Sequence, residues 1–379
     1  MPPRLASAEI PGGRGEPFLR TLNRTTLARQ RLLERSRMEV VELLEAILGL
    51  NAQDAHQPYI SLYSRLAGFR KEELEEALRA RRAVKATLFR STLHIVSASD
   101  YLRFRPAIQP VLLRALKAFF PREADSLPLK ALEEAAEALT REAPRTFPEL
   151  RKHLKPLVPG VSPQSLSYAA RAVLPLVQVP PAGFFGAWGV PAYALAEVWL
   201  GKPLGDPLEG QKALARRYLM AYGPATLADL TAFVGMSLRE GVTALRSELL
   251  EWIGPDGKTY LDLPEAPRVE GEVLAPVRFL PPWDNLLLAY ADRSRVLPEA
   301  YRSRVILSGG RVQATFLVDG FVAGLWRWQV QHKRARLALL PFAHLSPPAR
   351  EALEEEGEGL LRFLAEELEP KVLEVVVEE

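Results

Sequence analysis

The sequence predicts an α+β fold, made mainly of three helical winged-helix units in tandem and closed by an antiparallel β-rich part. Three observations lead to this prediction. Apolar residues at helical spacing dominate the first two-thirds of the chain. A pattern of helix, turn, helix and hairpin occurs three times, about 80 residues apart. Alternating apolar runs separated by glycine turns follow from about residue 277.

The chain is predicted to begin with a flexible arm and one long helix. Residues 1–20 are rich in Gly and Pro and lack the apolar core of a signal peptide, so we expect an arm there. Residues 25–50 carry apolar side chains at helical spacing, and the predicted helix ends at Gly49.

The first predicted winged-helix unit spans residues 21–110. A short helix over residues 59–66 leads to a turn at Gly68, and a second helix follows with Leu74 on its inner face. A β-like run over residues 92–96 completes the pattern.

The same pattern predicts a second unit over residues 111–205 and a third over 206–276. The third is the clearer of the two, with a helix over residues 226–233 and a turn at Gly235. A Pro-Asp-Gly turn at residues 255–257 predicts its hairpin.

The last predicted domain, residues 277–379, contains an antiparallel sheet, an acidic amphipathic helix over 346–368 and a final strand.

The charge of the chain is distributed unevenly, with acidic residues concentrated in and after this last helix. Residues 351–379 hold 11 acidic and 2 basic residues, a balance of −9. Because the whole chain carries +3, the preceding 350 residues carry +12. A basic body of this kind favours a polyanionic partner, and with winged-helix units we expect double-stranded DNA. A solvated basic surface without such a partner is the alternative.

Several function classes find no support in the sequence. The absence of cysteine excludes disulfides, thiol nucleophiles and thiolate metal sites. The five histidines show no metal-ligand spacing, so we expect neither a metal nor another cofactor. No phosphate-binding glycine loop or nucleophile elbow occurs. No run of about 18 apolar residues predicts a membrane helix. We therefore expect a cytoplasmic, nucleoid-associated protein, and few Asn with 32 Pro resemble a thermophile's composition.

The segment GLNAQDAHQPY, residues 49–59, concentrates polar side chains after an apolar helical face. Asn51 and Gln53 alternate, so on an extended chain they would point the same way. The structural alternative is that Asn51 caps one helix and Asp54 begins the next.

Four segments together resemble the winged-helix DNA glycosylases of the AlkZ and YcaQ type. They are GLNAQ, FRSTLHIV, FLPPWDNLLLAYADRSRV and the strand pair around VDGFVAGLWRW. The resemblance runs from about residue 21 to the end. It implies three winged-helix units in a C-shaped arrangement and metal-free removal of bulky, including crosslinked, N7-alkylated purines.

The resemblance also implies a catalytic pair. The family pattern is Gln-apolar-Gln in one branch and Gln-apolar-Asp in another, and here the aligned residues are Asn51, Ala52 and Gln53. The second position matches the Gln branch, whereas the first is one methylene shorter. Asp54 is assigned a supporting role, as are Thr92 and His94 of the hairpin motif. For His94, a half-buried strand residue with a satisfied hydrogen bond is the alternative.

Two basic groups are predicted to contact DNA phosphates without reading sequence. They comprise Arg79, Arg81, Arg82, Lys85 and Arg90 near the first hairpin, and His332, Lys333, Arg334 and Arg336 in a predicted loop.

Two functions are therefore compatible with the sequence. The first is a monofunctional glycosylase, acting as a monomer with no obligate protein partner, because three winged-helix units in one chain favour an enclosing shape. The second is a non-catalytic DNA-binding protein or regulator, although the chain shows no coiled-coil heptads or ligand-sensing domain.

Overall fold

The computed structural model describes residues 16–331, 334–366 and 372–377 of the chain. Its first half contains α1 (Glu16–Arg29), α2 (Val40–Ala46), β1 (Leu50–Asn51), α3 (Gln57–Arg65), α4 (Lys71–Arg79), β2 (Ala83–Thr87), β3 (Leu93–Ser97), α5 (Ala98–Ala107), α6 (Gln109–Phe119), α7 (Leu129–Glu142), β4 (Arg145–Thr146), α8 (Phe147–Leu154), α9 (Pro163–Val173), β5 (Leu176–Gln178) and β6 (Ala192–Leu195).

The second half begins with helices and ends in a sheet. It contains α10 (Ala196–Leu200), α11 (Pro207–Tyr222), α12 (Leu227–Val234), α13 (Arg239–Ala244), β7 (Leu250–Ile253), β8 (Thr259–Asp262), β9 (Arg278–Leu280), α14 (Arg302–Val305), β10 (Ile306–Leu307), β11 (Arg311–Val312), β12 (Thr315–Val318), β13 (Phe321–Gln331), β14 (Arg334–Pro341), α15 (Pro347–Ala365) and β15 (Val372–Val377). The predicted α+β class with antiparallel sheets is confirmed.

One order of elements recurs three times: helix, short strand, helix, helix and hairpin. It starts at α2, at α7 and at α11. Each time, the short segment after the first helix pairs antiparallel with the last strand of the hairpin. The pairs are Asn51 with His94 and Arg145 with Tyr193, and in the third case a single bridge joins Ala225 to Leu261.

The first two repeats share one six-stranded sheet, in the order β1-β3-β2-β5-β6-β4. The joint is the antiparallel pairing of β2 with β5, where Lys85 lies opposite Gln178. This joint places the loop between β5 and β6, residues 179–191, beside the end of β1. A continuous buried core then extends from these repeats into the third.

The C-terminal sheet has the order β15-β14-β13-β12-β9. All of its pairings are antiparallel except that of β14 with β15, which is parallel. Helix α15 supplies Leu353 and Leu360 to a buried cluster that also contains Phe279, Phe316 and Trp326 of the sheet.

The N-terminal region differs from the expectation in two respects. Residues 16–20 form the start of α1 instead of an arm, and residues 1–15 lie outside the described residues. The helix expected over residues 25–50 is two helices, since α1 ends at Arg29 and α2 begins at Val40. Between them, Ser36 pairs with the backbone at the end of α3, and these tertiary hydrogen bonds override the local helical pattern.

Across the described ranges, no helix combines the length and the apolar composition needed to cross a membrane.

Candidate active site

The candidate segment begins at a constrained glycine. Gly49 has φ +75°, a left-handed conformation that favours glycine, and it turns the chain from α2 into β1. A Cβ atom at this position would lie 2.4 Å from Val96 Cγ1 and 2.9 Å from the Ile95 carbonyl oxygen. The close approach of the two backbones therefore fixes where Asn51 and Gln53 lie.

We expect Gly49→Ala to lower the free energy of unfolding by about 1–3 kcal/mol, which is the usual cost of overpacking. The control is Gly68→Ala, since Gly68 has φ +71° but no atom within 4 Å of its added Cβ. Denaturant unfolding of both variants separates the steric cost from that of positive φ. Equal losses would show that the contact with β3 is unimportant.

Asn51 and Gln53 differ in exposure, contrary to the expectation that they face the same way. Asn51 is 4% exposed, and its Oδ1 accepts a hydrogen bond from the Gln53 backbone N–H at 3.3 Å. The Gln53 side chain is exposed, with Oε1 3.5 Å from the Leu93 backbone nitrogen. Asn51 therefore orients the backbone that carries Gln53.

Gln53 lies on the wall of a surface depression of about 340 Å³, hereafter the Gln53 depression. Its lining comprises Gln53, Ala55, Lys85, Leu93 and residues 178–183 and 187–192. Lys85 is half-buried there, and burial lowers the pKa of its ammonium group. The depression combines one exposed amide, a cation and the loop between β5 and β6.

Asp54 and His56 form a pair next to Gln53. The Asp54 carboxylate accepts the His56 backbone N–H at 2.8 Å and lies 3.3 Å from His56 Nδ1. The hydrogen bond from the His56 side chain is the main reason that the pKa of Asp54 is lowered. A carboxylate held ionised at this place adds negative charge beside the depression.

His94 is fully buried opposite Asn51, with its Nδ1 donating to the Thr92 carbonyl oxygen at 3.1 Å. Its Nε2 has no hydrogen-bond partner among the described residues. Burial, followed by the charge of Arg90, lowers the pKa of His94 to about 3, so the ring is neutral at neutral pH. His94 is therefore buried behind β1 and is not placed to contact a phosphate.

Thr92 closes the turn between β2 and β3, since its Oγ1 donates to the Phe89 carbonyl oxygen at 3.0 Å. In the same turn, Arg90 and Ser91 have positive φ angles. Arg90 donates to the Phe233 carbonyl and lies 3.4 Å from Asn285 Oδ1, so its guanidinium is engaged within the protein.

The three arginines at the end of α4 are exposed but have partners within the chain. Arg79 pairs with Glu75, Arg81 donates to the Trp199 carbonyl, and Arg82 contacts Glu39. Contact with a phosphate would have to compete with these exposed interactions.

Two members of the second basic group lie on a strand and not in the predicted loop. Arg334 and Arg336 are in β14, where Arg334 is exposed and pairs in register with Gln331 of β13. His332 and Lys333 lie outside the described residues.

Asp284 and Asn285, in the segment after β9, bond to α3 and to Gly49 on either side of the candidate segment, and sequence reasoning gave them no role. Asn285 Nδ2 donates to the Gly49 carbonyl oxygen at 3.2 Å. Asp284 is 2% exposed and accepts hydrogen bonds from both Arg65 and Ser61 of α3. The rarity of asparagine, with only three in the chain, was a signal that could have identified Asn285.

Comparisons with known proteins agree with this architecture. The model of the family described as DNA glycosylase AlkZ-like matches residues 44–363. A relative in Streptomyces sahachiroi, the interstrand DNA cross-link repair glycosylase, is 25% identical over an alignment of 365 residues, which covers 89% of this chain and 94% of the relative. The solved structure of Streptomyces sahachiroi DNA glycosylase AlkZ has a TM-score of 0.76 at 21% identity, covering 95% of this chain and 99% of that one. The resemblance inferred from the four sequence segments is confirmed, and this chain belongs to the AlkZ-like family of DNA glycosylases.

Proposed function

We propose that this chain is a monofunctional glycosylase that hydrolyses the N-glycosidic bond of N7-alkylated purines in double-stranded DNA. The observation that carries the proposal is the exposed Gln53 amide in a depression that also contains the cation of Lys85. The Streptomyces relative is described as an interstrand DNA cross-link repair glycosylase, and we therefore extend the proposal to bulky and crosslinked adducts.

Alkylation at N7 makes the purine cationic, so breaking the bond from the sugar carbon C1′ to N9 releases a neutral base. No general acid is then needed. Water forms the new bond to C1′, the electron pair of the broken bond goes to N9, and the water's extra proton passes to solvent. The protein must place that water and tolerate a cationic transition state.

The roles of the site residues follow from their contacts. Gln53 would hold the water through its amide oxygen, and the ionised Asp54 would stabilise the developing positive charge. Asn51 acts as a positioning residue because its Oδ1 accepts the Gln53 N–H. Thr92 and His94 would keep β3 in place behind this pair.

The three repeats of helix, strand, helix, helix and hairpin support a description as three winged-helix units, with boundaries near residues 110, 205 and 276. We propose that they enclose the duplex as a C-shaped monomer in the cytoplasm and need no further protein. The exposed Arg79, Arg81 and Arg82 and the β13–β14 hairpin would contact phosphates.

The direct test is incubation with duplex DNA that carries one N7-methylguanine, followed by alkaline cleavage at abasic sites. We expect abasic sites to form at that position only. Failure to release the base would favour the second candidate, a DNA-binding protein without catalysis. The observation that favours this second candidate concerns Asn51. It stands where the family pattern has its first Gln, and its side-chain oxygen accepts a hydrogen bond from the Gln53 backbone N–H.

We expect binding to undamaged duplex to depend steeply on salt and little on sequence, because the positive body would contact mainly phosphates. The logarithm of the affinity should fall by roughly 0.9 per contacted phosphate for each tenfold rise in salt. Fluorescence anisotropy with two unrelated duplexes measures this dependence. Salt-independent binding, or a strong preference for one duplex, would contradict it.

A further inference from the structure

An exposed tryptophan, Trp188, lies on the rim of the Gln53 depression. The proposed hydrolysis does not assign it a function. Trp188 is 77% exposed, the loop that carries it connects β5 to β6, and the depression is lined by both Trp188 and Gln53. A single exposed tryptophan is ordinary on a protein surface, but this one borders the candidate site, where its aromatic face is open to a ligand.

The ring of Trp188 belongs to a cluster of four rings that is held in place, hereafter the aromatic cluster: His56, Phe185, Trp188 and Trp328. The His56 ring centroid lies 4.9 Å from that of Phe185, 5.6 Å from Trp328 and 6.2 Å from Trp188. His56 is itself fixed by Asp54. The loop is tied to α3, since the Tyr59 hydroxyl donates to the Gly183 carbonyl at 3.0 Å.

Within the aromatic cluster, Trp188 is the ring left most accessible. Phe185, His56 and Trp328 are each half-buried. The three glycines of the loop, at positions 183, 186 and 189, have positive φ angles, which lets the chain turn sharply and present the indole outward. Most of the indole surface is therefore available for stacking at the rim of the Gln53 depression.

We propose that Trp188 is the stacking wall for the damaged purine and so contributes to substrate specificity at the proposed active site. The inference rests on the proposed glycosylase function. A base must leave the duplex stack before a group on the protein can surround it, and glycosylases read such bases partly by aromatic stacking. A cationic N7-alkylpurine suits the electron-rich face of an indole better than an undamaged base does.

The test uses the full chain and a duplex carrying one N7-methylguanine with a 2′-fluoro sugar. Fluorine at C2′ destabilises the cationic transition state, so this probe is bound without being cleaved. We compare its affinity with that of the same duplex without the lesion, for the unmodified protein and for Trp188→Ala, Trp188→Phe and Phe119→Ala. Phe119 is the matched control, because it is 67% exposed but does not line the depression.

We expect Trp188→Ala to reduce the preference for the lesion by roughly 5- to 150-fold, equivalent to about 1–3 kcal/mol of stacking. Trp188→Phe should retain most of the preference, and Phe119→Ala should retain all of it. Unchanged preference in Trp188→Ala would overturn the proposal. An equal loss of affinity for both duplexes would also overturn it, and would identify Trp188 as a contact to undamaged DNA.

The binding assay is independent of turnover. If the unmodified protein releases no base but Trp188 governs lesion preference, the stacking wall is retained and the proposed catalysis is rejected. If the unmodified protein releases the base but Trp188→Ala keeps the full preference for the lesion, the proposed catalysis is retained and the stacking wall is rejected.

Discussion

Replacing Gln53 with alanine is expected to reduce base release from N7-methylguanine by roughly 10²–10³-fold, with DNA affinity changed by no more than a few fold. A group that orients the attacking water acts mainly in the transition state, so its loss lowers the rate more than it lowers binding. The magnitude is that of removing one preorganised polar group from an active site. Because the side chain is exposed, the substitution leaves no buried polar atom without a partner.

Single-turnover base release and anisotropy on the same duplex measure the two quantities separately. Gln211→Ala is the matched control, since that amide lies on α11, outside the Gln53 depression, and contacts Glu240. A parallel fall in rate and affinity for Gln53→Ala would assign Gln53 to DNA binding alone. A rate within a few fold of the unmodified protein would remove it from the catalytic site.

Asn51→Gln provides a companion measurement, because it restores the family pattern at the first position. Activity equal to or above that of the unmodified protein would indicate that Asn51 fills the same role with a shorter side chain. Loss of activity would instead indicate that the buried space around Asn51 has adapted to Asn. The substrate would then differ from that of the family.

The sequence was sufficient to locate the candidate segment but not the orientation of its side chains. Alternation along an extended chain predicted that Asn51 and Gln53 share a face. The chain leaves the extended conformation after β1, where Asn51 bonds to the backbone of Gln53 and Gln53 turns outward. A periodicity of two holds only while the strand continues, and β1 has two residues.

Long-range contacts account for the other differences. The charge of Arg90 suggested a phosphate contact, whereas its partners Phe233 and Asn285 are more than 140 residues away in sequence. His94 shows the same limit, because strand patterning predicted at most a half-buried ring, whereas the ring is fully buried. Helical spacing likewise concealed the break after Arg29. Local patterns carry no information about which distant backbone groups compete for a side chain.

Removing Asp284 is expected to have a large effect on stability. Asp284→Ala should lower the free energy of unfolding by about 3–5 kcal/mol, because it leaves the guanidinium of Arg65 buried without its counter-charge. The two side chains are each 1% exposed, and Arg65 donates to both carboxylate oxygens, at 2.9 and 3.0 Å. The Ser61 hydroxyl and the Leu286 N–H would lose their acceptor as well.

The matched control is Asp125→Ala, which removes an exposed ion pair with Lys117. The Lys117 side chain is 66% exposed and that of Asp125 is 71% exposed. Its cost should be within about 1 kcal/mol, because exposed pairs gain little Coulomb energy in water. Denaturant unfolding of both variants gives the comparison, and a similar small loss in each would contradict the role assigned to Asp284.

A double variant separates the value of the buried pair from the penalty of breaking it. Arg65→Met combined with Asp284→Leu removes both charges, so neither remains uncompensated in the core. We expect it to be more stable than Asp284→Ala, and the two substitutions to be non-additive because the side chains are in direct contact. Asn285 follows Asp284 in the chain and holds the Gly49 carbonyl. If the buried pair also fixes the Gly49 backbone, the double variant should release the base more slowly than the unmodified protein, even under conditions in which both are fully folded.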